Sequence, residues 1–112
     1  MTSHKDLQVY QESLLLVKDV YSLLSFFPKD ELFGLTSQMK RCAISIPSNI
    51  AEGAGRKGSA EFVRFLYISM GSLSELETQL DIAIMLNFCD KNGEMTQRIF
   101  YIKNMLSKLI LS

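Results

Sequence analysis

The sequence predicts an all-α fold, an antiparallel up-down-up-down four-helix bundle in which a proline kinks the second helix. In four segments the apolar residues recur at alternating steps of three and four, which is the period of one helix face. No segment alternates apolar and polar residues over enough positions to predict a sheet. The 6 glycines and 2 prolines fall in a few places and leave long segments between turns. We therefore expect residues 1–112 to form a single four-helix-bundle domain, since a chain of this length builds one modest core.

The first predicted helix covers residues 6–27. It ends at Pro28, whose ring cannot follow a helical turn and whose nitrogen has no proton to donate. Its predicted apolar seam consists of Leu7, Tyr10, Leu14, Val17, Tyr21 and Leu24. Further apolar residues lie beside this seam, which predicts that the helix contacts more than one neighbour.

The second helix is predicted to begin within residues 31–36 and to contain a proline. Pro47 removes the hydrogen bond to the Ala43 carbonyl, so we expect the helix either to kink there or to restart with Pro47 in its first turn. Gly53 and Gly55 are predicted to stop the helix, because glycine accepts the left-handed conformation that closes many helices. The predicted core positions are Leu32, Leu35, Met39, Cys42, Ile46 and Ile50.

The third helix is predicted to start with Ser59 as its cap and to reach Asn87, which makes it the longest. Its predicted core positions are Phe62, Leu66, Ser69, Leu73, Leu76, Leu80 and Ala83. Small residues around Gly71 predict a thin middle, where the backbone near Pro47 can approach closely. A turn at residues 90–93 precedes the fourth helix, which is defined by Met95, Ile99, Ile102, Leu106 and Leu109.

Apolar residues also lie outside the main stripes. They include Phe65, Ile68, Ile82, Phe100 and Tyr101. Because a small bundle can hide only one stripe per helix, this surplus predicts a surface for self-association.

Composition limits the location and the chemistry of the protein. No stretch reaches the roughly 18 apolar residues of a membrane span, and the first residues are largely polar, which predicts a cytoplasmic protein with no membrane partner. Cys42 and Cys89 lack the spacing of a metal motif, so we expect reduced thiols, no metal site and no cofactor. Twelve basic and twelve acidic residues give a net charge of zero.

Residues 53–58 read GAGRKG and match the pattern G-x-G-x-x-G. A dinucleotide site of this type requires a strand before the first glycine and a parallel sheet around it, whereas the preceding residues are predicted to be helical. The pattern is therefore interpreted as a helix stop and a turn. His4 is the only histidine, so no nucleophile and base can be paired, and we predict that the protein is not an enzyme.

The main concentration of positive charge lies in the second helix and the turn after it, with Arg64 at the start of the third helix. The predicted nucleic-acid contacts are Lys40, Arg41, Arg56 and Lys57. Such side chains beside a glycine-rich turn and a helix N-terminus can bind phosphate. The alternative interpretation is a solvated face with local ion pairs, for instance between Arg56 and Glu52, four residues apart.

A structural polar network is also predicted around the proline of the second helix. Its members are Asn49, Glu52 and Glu75. Buried and hydrogen-bonded to one another, these side chains would fix the register of the helices.

Several segments resemble a known family. They are FGLTSQMKR at residues 33–41, SIPSNIAEG at residues 45–53, FL at residues 65–66 and GSLSELE at residues 71–77. These segments resemble the four-helix-bundle family named for proteins encoded in intervening sequences of bacterial 23S rRNA genes, and the resemblance covers nearly the whole chain. It implies ring-shaped homo-oligomers, usually pentamers. It also implies similarity to the accessory variability protein of diversity-generating retroelements, which works with a reverse transcriptase and binds nucleic acid through a basic surface.

The favoured hypothesis is a non-enzymatic homo-oligomeric bundle, expected to be a homopentamer, that serves as an accessory protein. Its predicted partner is RNA or DNA, a ribonucleoprotein or another nucleic-acid-processing protein. The alternative is a structural oligomeric adaptor that binds only protein partners.

Overall fold

A computed structural model describes residues 3–112 of the protein. In this part of the chain there are four α-helices, two single-turn 3-10 helices and no β-strand. The α-helices are α1 (Gln8–Leu24), α2 (Leu35–Ala54), α3 (Ser59–Met85) and α4 (Gly93–Leu111). The predicted all-helical class is confirmed, and the arrangement is consistent with a four-helix bundle.

The helices surround one elongated core. α2 packs most extensively on α3, α1 packs on α2 and α4, and α4 also packs on α3. The molecule measures 44 × 25 × 19 Å. Side chains from all four helices are completely buried in this core, among them Leu16, Met39, Ile46, Leu66 and Ile102. None of the helices in residues 3–112 combines the length and the hydropathy that a bilayer crossing requires.

The predicted seam of α1 is correct in part, since Leu24 is buried and Leu7, Tyr10 and Val17 pack against the core. The residues that α1 buries are Val9, Ser13, Leu16, Val20 and Leu24. Leu14 and Tyr21 of the predicted seam are instead 45% and 40% exposed. Apolar residues surround most of α1, so their spacing does not select the stripe that faces the core, and a serine interrupts the true stripe. The Ser13 hydroxyl is satisfied locally, since it donates to the Tyr10 carbonyl at 2.7 Å.

α2 starts close to the predicted position and continues through its proline. The Glu31 carboxylate accepts a hydrogen bond from the Leu35 amide at 3.2 Å and so caps the start of the helix. The helix includes Pro47, which is buried, so the alternative of a restart at this residue is not observed. Four predicted core positions are buried: Met39, Cys42, Ile46 and Ile50. Leu32 is exposed because it precedes the helix.

The glycines after the proline do not stop α2 in the predicted way. Gly53 lies inside the helix, and Gly55 follows it with a φ of −85°, so neither is left-handed. A Cβ added at Gly53 would lie 2.6 Å from the Cβ of Phe65 in α3. Close packing of α2 on α3 therefore requires this glycine. The left-handed residue of the connection is Gly58, with a φ of 91°, and it occupies the cap position predicted for Ser59.

α3 and α4 bury the faces that their spacing predicts. The buried predicted positions are Leu66, Ser69, Leu73, Leu76, Ala83, Met95, Ile99, Ile102 and Leu106. Phe65, predicted to lie off the stripe, is also buried. The Asn92 side chain accepts a hydrogen bond from the Met95 amide at 3.1 Å and caps α4.

Ion pairs connect α4 to both of its neighbours. The Arg98 guanidinium lies 2.9 Å from the Asp19 carboxylate and also contacts Glu12, both on α1. The Lys103 ammonium lies 2.6 Å from the Glu77 carboxylate on α3. These ion pairs join α4 to α1 and to α3.

Candidate nucleic-acid interface

Small polar side chains join α2 to α3 beside the interior proline. The Ser69 hydroxyl, fully buried, donates to the Ile46 carbonyl at 2.9 Å. The Ser45 and Ser72 hydroxyls lie 2.7 Å apart, and the Cys42 thiol donates to the Ser72 carbonyl at 2.9 Å. The close approach predicted for the thin middle of α3 is therefore confirmed at its serines.

The polar network predicted from Asn49, Glu52 and Glu75 does not form. The Asn49 amide donates to the Ser45 carbonyl of its own helix at 2.8 Å. Glu52 is exposed and pairs with Arg56, while Glu75 is exposed and accepts a hydrogen bond from a glutamine one turn later. Carboxylates remain in water because their burial is costly, whereas hydroxyl and thiol groups fit between closely packed backbones. Small residues spaced by three on both helices are the sequence signal for this contact.

Cys42 contributes a protonated thiol to this contact. The side chain is buried and forms no disulfide. Burial raises the pKa of the thiol from its ordinary value of 9.0 to about 11, and the negative charge of Glu75 acts in the same direction. Burial also raises the pKa of Cys89, the other free cysteine. The Cys42 thiol therefore keeps its proton, and with it the bond to α3, at neutral pH.

We expect the free energy of unfolding to fall as the pH rises from about 9 to about 11. The unfolded thiol releases its proton at the lower value and the folded thiol at the higher one, so this stabilisation is complete below pH 9 and is lost on passing pH 11. The loss approaches about 3 kcal/mol. Urea unfolding at several pH values checks it, with Cys42→Ala as the control for lysine and tyrosine titration. Parallel pH curves for the two proteins would contradict the prediction.

Two arginines lie against one aromatic ring at the connection between α2 and α3. The guanidinium carbons of Arg56 and Arg64 are 5.3 and 4.6 Å from the centroid of Phe65. Arg56 also lies 3.7 Å from Glu52, as the alternative interpretation predicted, and Arg64 lies 3.1 Å from Glu61. The arginine side chains remain 51% and 59% exposed. Exposed ion pairs contribute little energy, so a phosphate can replace these carboxylates.

The same connection presents the start of α3 to solvent. Gly58 occupies the cap position, and its lack of a side chain leaves the first amides of α3 without a side-chain acceptor. A cavity of about 350 Å³ lies here between residues 3–7 and the connection. Its lining includes His4, Leu7, Gly53, Arg56, Gly58 and Phe62. Amides at a helix N-terminus beside arginine side chains suit an anion such as phosphate.

A family model described as 23S rRNA-intervening sequence protein matches residues 5–108. The chain belongs to this family. The matched region includes the Phe65 cluster and nearly all of the four helices. A comparison with curated proteins finds no match.

The predicted nucleic-acid contacts of this 23S rRNA-intervening sequence protein lie in two separate places. Arg56 and Lys57 are both exposed at the connection between α2 and α3. Lys40 and Arg41 lie in the first half of α2, and Lys40 is about 21 Å from the end of the helix at Ala54, beyond which Arg56 lies. The Lys40 ammonium lies 5.1 Å from the centroid of the Tyr21 ring on α1, while Arg41 is exposed. The four residues therefore form two pairs.

Sequence analysis missed the arrangement around Phe65. Arg56 lies in the connection after α2, whereas Arg64 lies in α3. Only the reversal of the chain after Gly55 brings both side chains to one ring. The adjacency of Arg64 and Phe65 was the available signal. Helical spacing predicts contacts within one helix, and it does not predict contacts across a turn.

Proposed function

We propose that this protein is a non-enzymatic, cytoplasmic, homo-oligomeric bundle that binds RNA or DNA, or assists a nucleic-acid-processing protein. The exposed arginines held against Phe65 carry this proposal, because together with Lys57 they offer three cations beside a helix N-terminus. The family description refers to 23S rRNA-intervening sequences, which supports an RNA-related role but does not name a ligand. The resemblance to the retroelement accessory protein, which works with a reverse transcriptase, supports the proposal that this protein assists a nucleic-acid-processing protein.

The bundle is inferred to be antiparallel, with up-down-up-down order. Along α2, contacts run from Gly53 through Ile46 to Cys42. Their partners on α3 run in the opposite direction, from Phe65 through Ser69 to Ser72. A bend of α2 at Pro47 is part of the same inference, since proline cannot donate to the carbonyl of Ala43 and its ring crowds that carbonyl.

Charge is distributed unequally between the two ends of this bundle. The cavity between residues 3–7 and residues 53–62 shows that these segments share one end, which we call the basic end. Its cations are Lys5, Arg56, Lys57 and Arg64, against the anions Asp6, Glu52 and Glu61. The Phe27 and Phe88 rings, 5.6 Å apart, join the other two connections. At this other end, the cations of the two connections are Lys29 and Lys91, against the anions Asp30, Glu31, Asp90 and Glu94. A nucleic acid therefore approaches the basic end more favourably despite a net charge of zero.

Charge reversal at the basic end tests nucleic-acid binding. We expect Arg56→Glu combined with Lys57→Glu to weaken RNA binding by at least about tenfold and to reduce the slope of log affinity against log salt by about 2. Fluorescence anisotropy with labelled RNA and DNA at several salt concentrations measures both quantities. The matched control reverses two exposed lysines elsewhere, Lys18→Glu with Lys91→Glu. Absence of salt-dependent binding by the unmodified protein would favour the alternative, an adaptor that binds only proteins.

Self-association is the second part of the proposal. α3 carries an exposed stripe at alternating steps of four and three, opposite to its buried face. The stripe consists of Ile68, Gly71, Glu75, Thr78 and Ile82. A Cβ added at Gly71 would meet nothing within 4 Å, so the centre of this stripe admits the close approach of another helix.

The proposed occupant of the α3 stripe is a second copy of this chain. Leu14 of α1 and Ile44 of α2 are exposed by 45% and 43% and offer apolar surface on other helices. Contact between different surfaces of identical chains is heterologous, and a heterologous contact that closes produces a ring, as in the expected pentamer. Light scattering measures the assembly, and a monomer at all concentrations would overturn this part of the proposal.

A further inference from the structure

An apolar groove opens at the start of α4, between that helix, α3 and the end of α1; we call it the α4 groove. It consists of two cavities of about 440 and 220 Å³ that share the lining residues Leu23, Asn92 and Met95. The other apolar residues that line the larger cavity are Leu80, Ile84, Cys89 and Ile99. Several of these side chains are only partly buried, so the apolar lining reaches solvent.

Large apolar side chains are also exposed beside the α4 groove. Phe26, which lines the smaller cavity, is 82% exposed. Met85 and Leu86, which follow Ile84 at the end of α3, are exposed as well. Exposed apolar side chains that adjoin an apolar groove indicate a surface that binds a partner.

Charge defines the class of partner. The carboxylates that line the α4 groove are Asp19, Glu77, Asp81, Asp90 and Glu94, against the single cation Lys91. Two of the carboxylates form the ion pairs with α4 described above. The other three are exposed, and no ion pair of residues 3–112 includes them. The groove is therefore negative within a protein of zero net charge, and it favours a cationic partner.

We propose that the α4 groove binds a basic amphipathic segment of a protein partner, an inference that rests on the proposed role of this chain as an accessory to another protein. Apolar side chains of the segment enter the groove, and its lysines or arginines lie beside Asp81, Asp90 and Glu94. An amphipathic helix that lies in an apolar groove is a recurrent mode of recognition. Basic segments are frequent in proteins that bind nucleic acids, so this partner suits the proposed role.

Charge and apolar surface together distinguish this occupant from the alternatives. RNA is repelled from a groove lined by five carboxylates. A small cation would leave the apolar lining in water. The basic end of a second copy supplies cations, but no large apolar side chain of residues 3–7 or 53–64 is exposed and able to enter the groove. A segment with cations on one face and apolar side chains on the other matches both features.

The test uses a fluorescently labelled synthetic peptide of about 16 residues, with leucines on one helical face and lysines on the other. The control peptide has glutamate in place of every lysine. Fluorescence anisotropy measures the binding of both peptides to the full chain at several salt concentrations. We expect the lysine peptide to bind at least about tenfold more tightly, and the difference to shrink as the salt concentration rises. Equal affinities of the two peptides would overturn the inference.

Cys89 reports on occupation of the groove, because its side chain lines the larger cavity and is partly exposed. Cys42 is buried and keeps its proton, so a thiol reagent modifies Cys89 first. The lysine peptide at about ten times its Kd should slow the modification about tenfold, since only the free protein reacts. Binding that leaves this rate unchanged would place the peptide elsewhere and overturn the inference.

Asp81→Asn combined with Asp90→Asn should weaken binding of the lysine peptide by about fivefold, the effect of two exposed ion pairs. The matched control is Asp6→Asn with Glu61→Gln, which removes the same charge from exposed residues of the basic end. This control should retain the affinity within about twofold, because salt screens charges at the far end of the molecule. Circular dichroism checks that both variants are folded. An equal loss of affinity in the two variants would contradict the proposed site.

The outcomes separate this inference from the nucleic-acid function. If the lysine peptide binds and protects Cys89 but no RNA or DNA binds, the groove inference holds and the nucleic-acid function is wrong. If RNA binds through Arg56 and Lys57 and the peptide does not protect Cys89, only the groove inference is wrong. If a second copy fills the groove, modification of Cys89 in the protein alone slows as the protein concentration rises, and the inference is again wrong.

Discussion

Gly53→Ala is expected to destabilise the protein by about 2 kcal/mol. The new Cβ would lie 2.6 Å from the Cβ of Phe65 and 3.3 Å from the Phe62 carbonyl oxygen. Both Cβ atoms are fixed to helical backbones, so rotation of a side chain cannot relieve the clash, and α2 must move away from α3. Overpacking of this kind costs about 3 kcal/mol, and the better helix propensity of alanine offsets about 1 kcal/mol.

The melting temperature of Gly53→Ala should fall by roughly 10 °C, as followed by circular dichroism. Gly71→Ala is the matched control, since Gly71 is also inside a helix but a Cβ there meets nothing within 4 Å. At a protein concentration below that of assembly, this control should gain up to about 1 kcal/mol, because alanine replaces glycine at an exposed helical site of the single chain. Equal effects of the two substitutions would show that Gly53 is retained for a reason other than its contact with Phe65.

The Gly53 contact illustrates what the sequence can predict of this fold. The helix bounds follow from local chemistry, so the predicted first helix at residues 6–27 corresponds to α1 at Gln8–Leu24. Gly53 was interpreted from its conformational freedom alone, and its steric role depends on Phe65, a residue of another helix. Local rules therefore identified a special glycine but not the reason for it.

In the candidate site, too, contacts within one helix were predictable from the sequence and contacts between elements were not. The pair of Arg56 with Glu52 was predictable, since four-residue spacing on a helix brings such side chains together. The position of Arg56 and Arg64 on one ring depends on the path of the connection. The separation of Lys40 from Arg56 follows from the rise of α2, because Lys40 lies in the first half of the helix and Arg56 lies beyond its end.

The polar contacts around Pro47 show a different limit. Sequence analysis assigned the polar network to Glu52 and Glu75, whereas the structure uses Ser45 and Ser72. Two helices that approach closely have no room for carboxylates between them, and the desolvation of a charge outweighs the hydrogen bonds that it would gain. Steric closeness decides this outcome, and one sequence does not reveal which helix faces meet.

The second large expected effect concerns α1. Its predicted seam and its buried stripe each contain a leucine, so the same substitution can be compared at both. Leu16 is fully buried, whereas Leu14, two residues earlier and part of the predicted seam, is 45% exposed. Leu16→Ala should destabilise the protein by about 3 kcal/mol, from lost burial and the cavity that remains. Leu14→Ala should change the free energy of unfolding by less than about 0.5 kcal/mol, as for most surface substitutions.

Urea unfolding of both variants measures these differences, and the pair controls for helix propensity because each replaces leucine by alanine in the same helix. Leu14 is also part of the apolar surface proposed for self-association, so its substitution should weaken assembly rather than folding. Unfolding at two protein concentrations separates the contributions, since only assembly depends on concentration. If Leu14→Ala costs as much as Leu16→Ala at both concentrations, then α1 packs through the stripe of Leu7, Leu14 and Tyr21. The buried serine at position 13 would then face solvent, and the core would differ from the one in the structure.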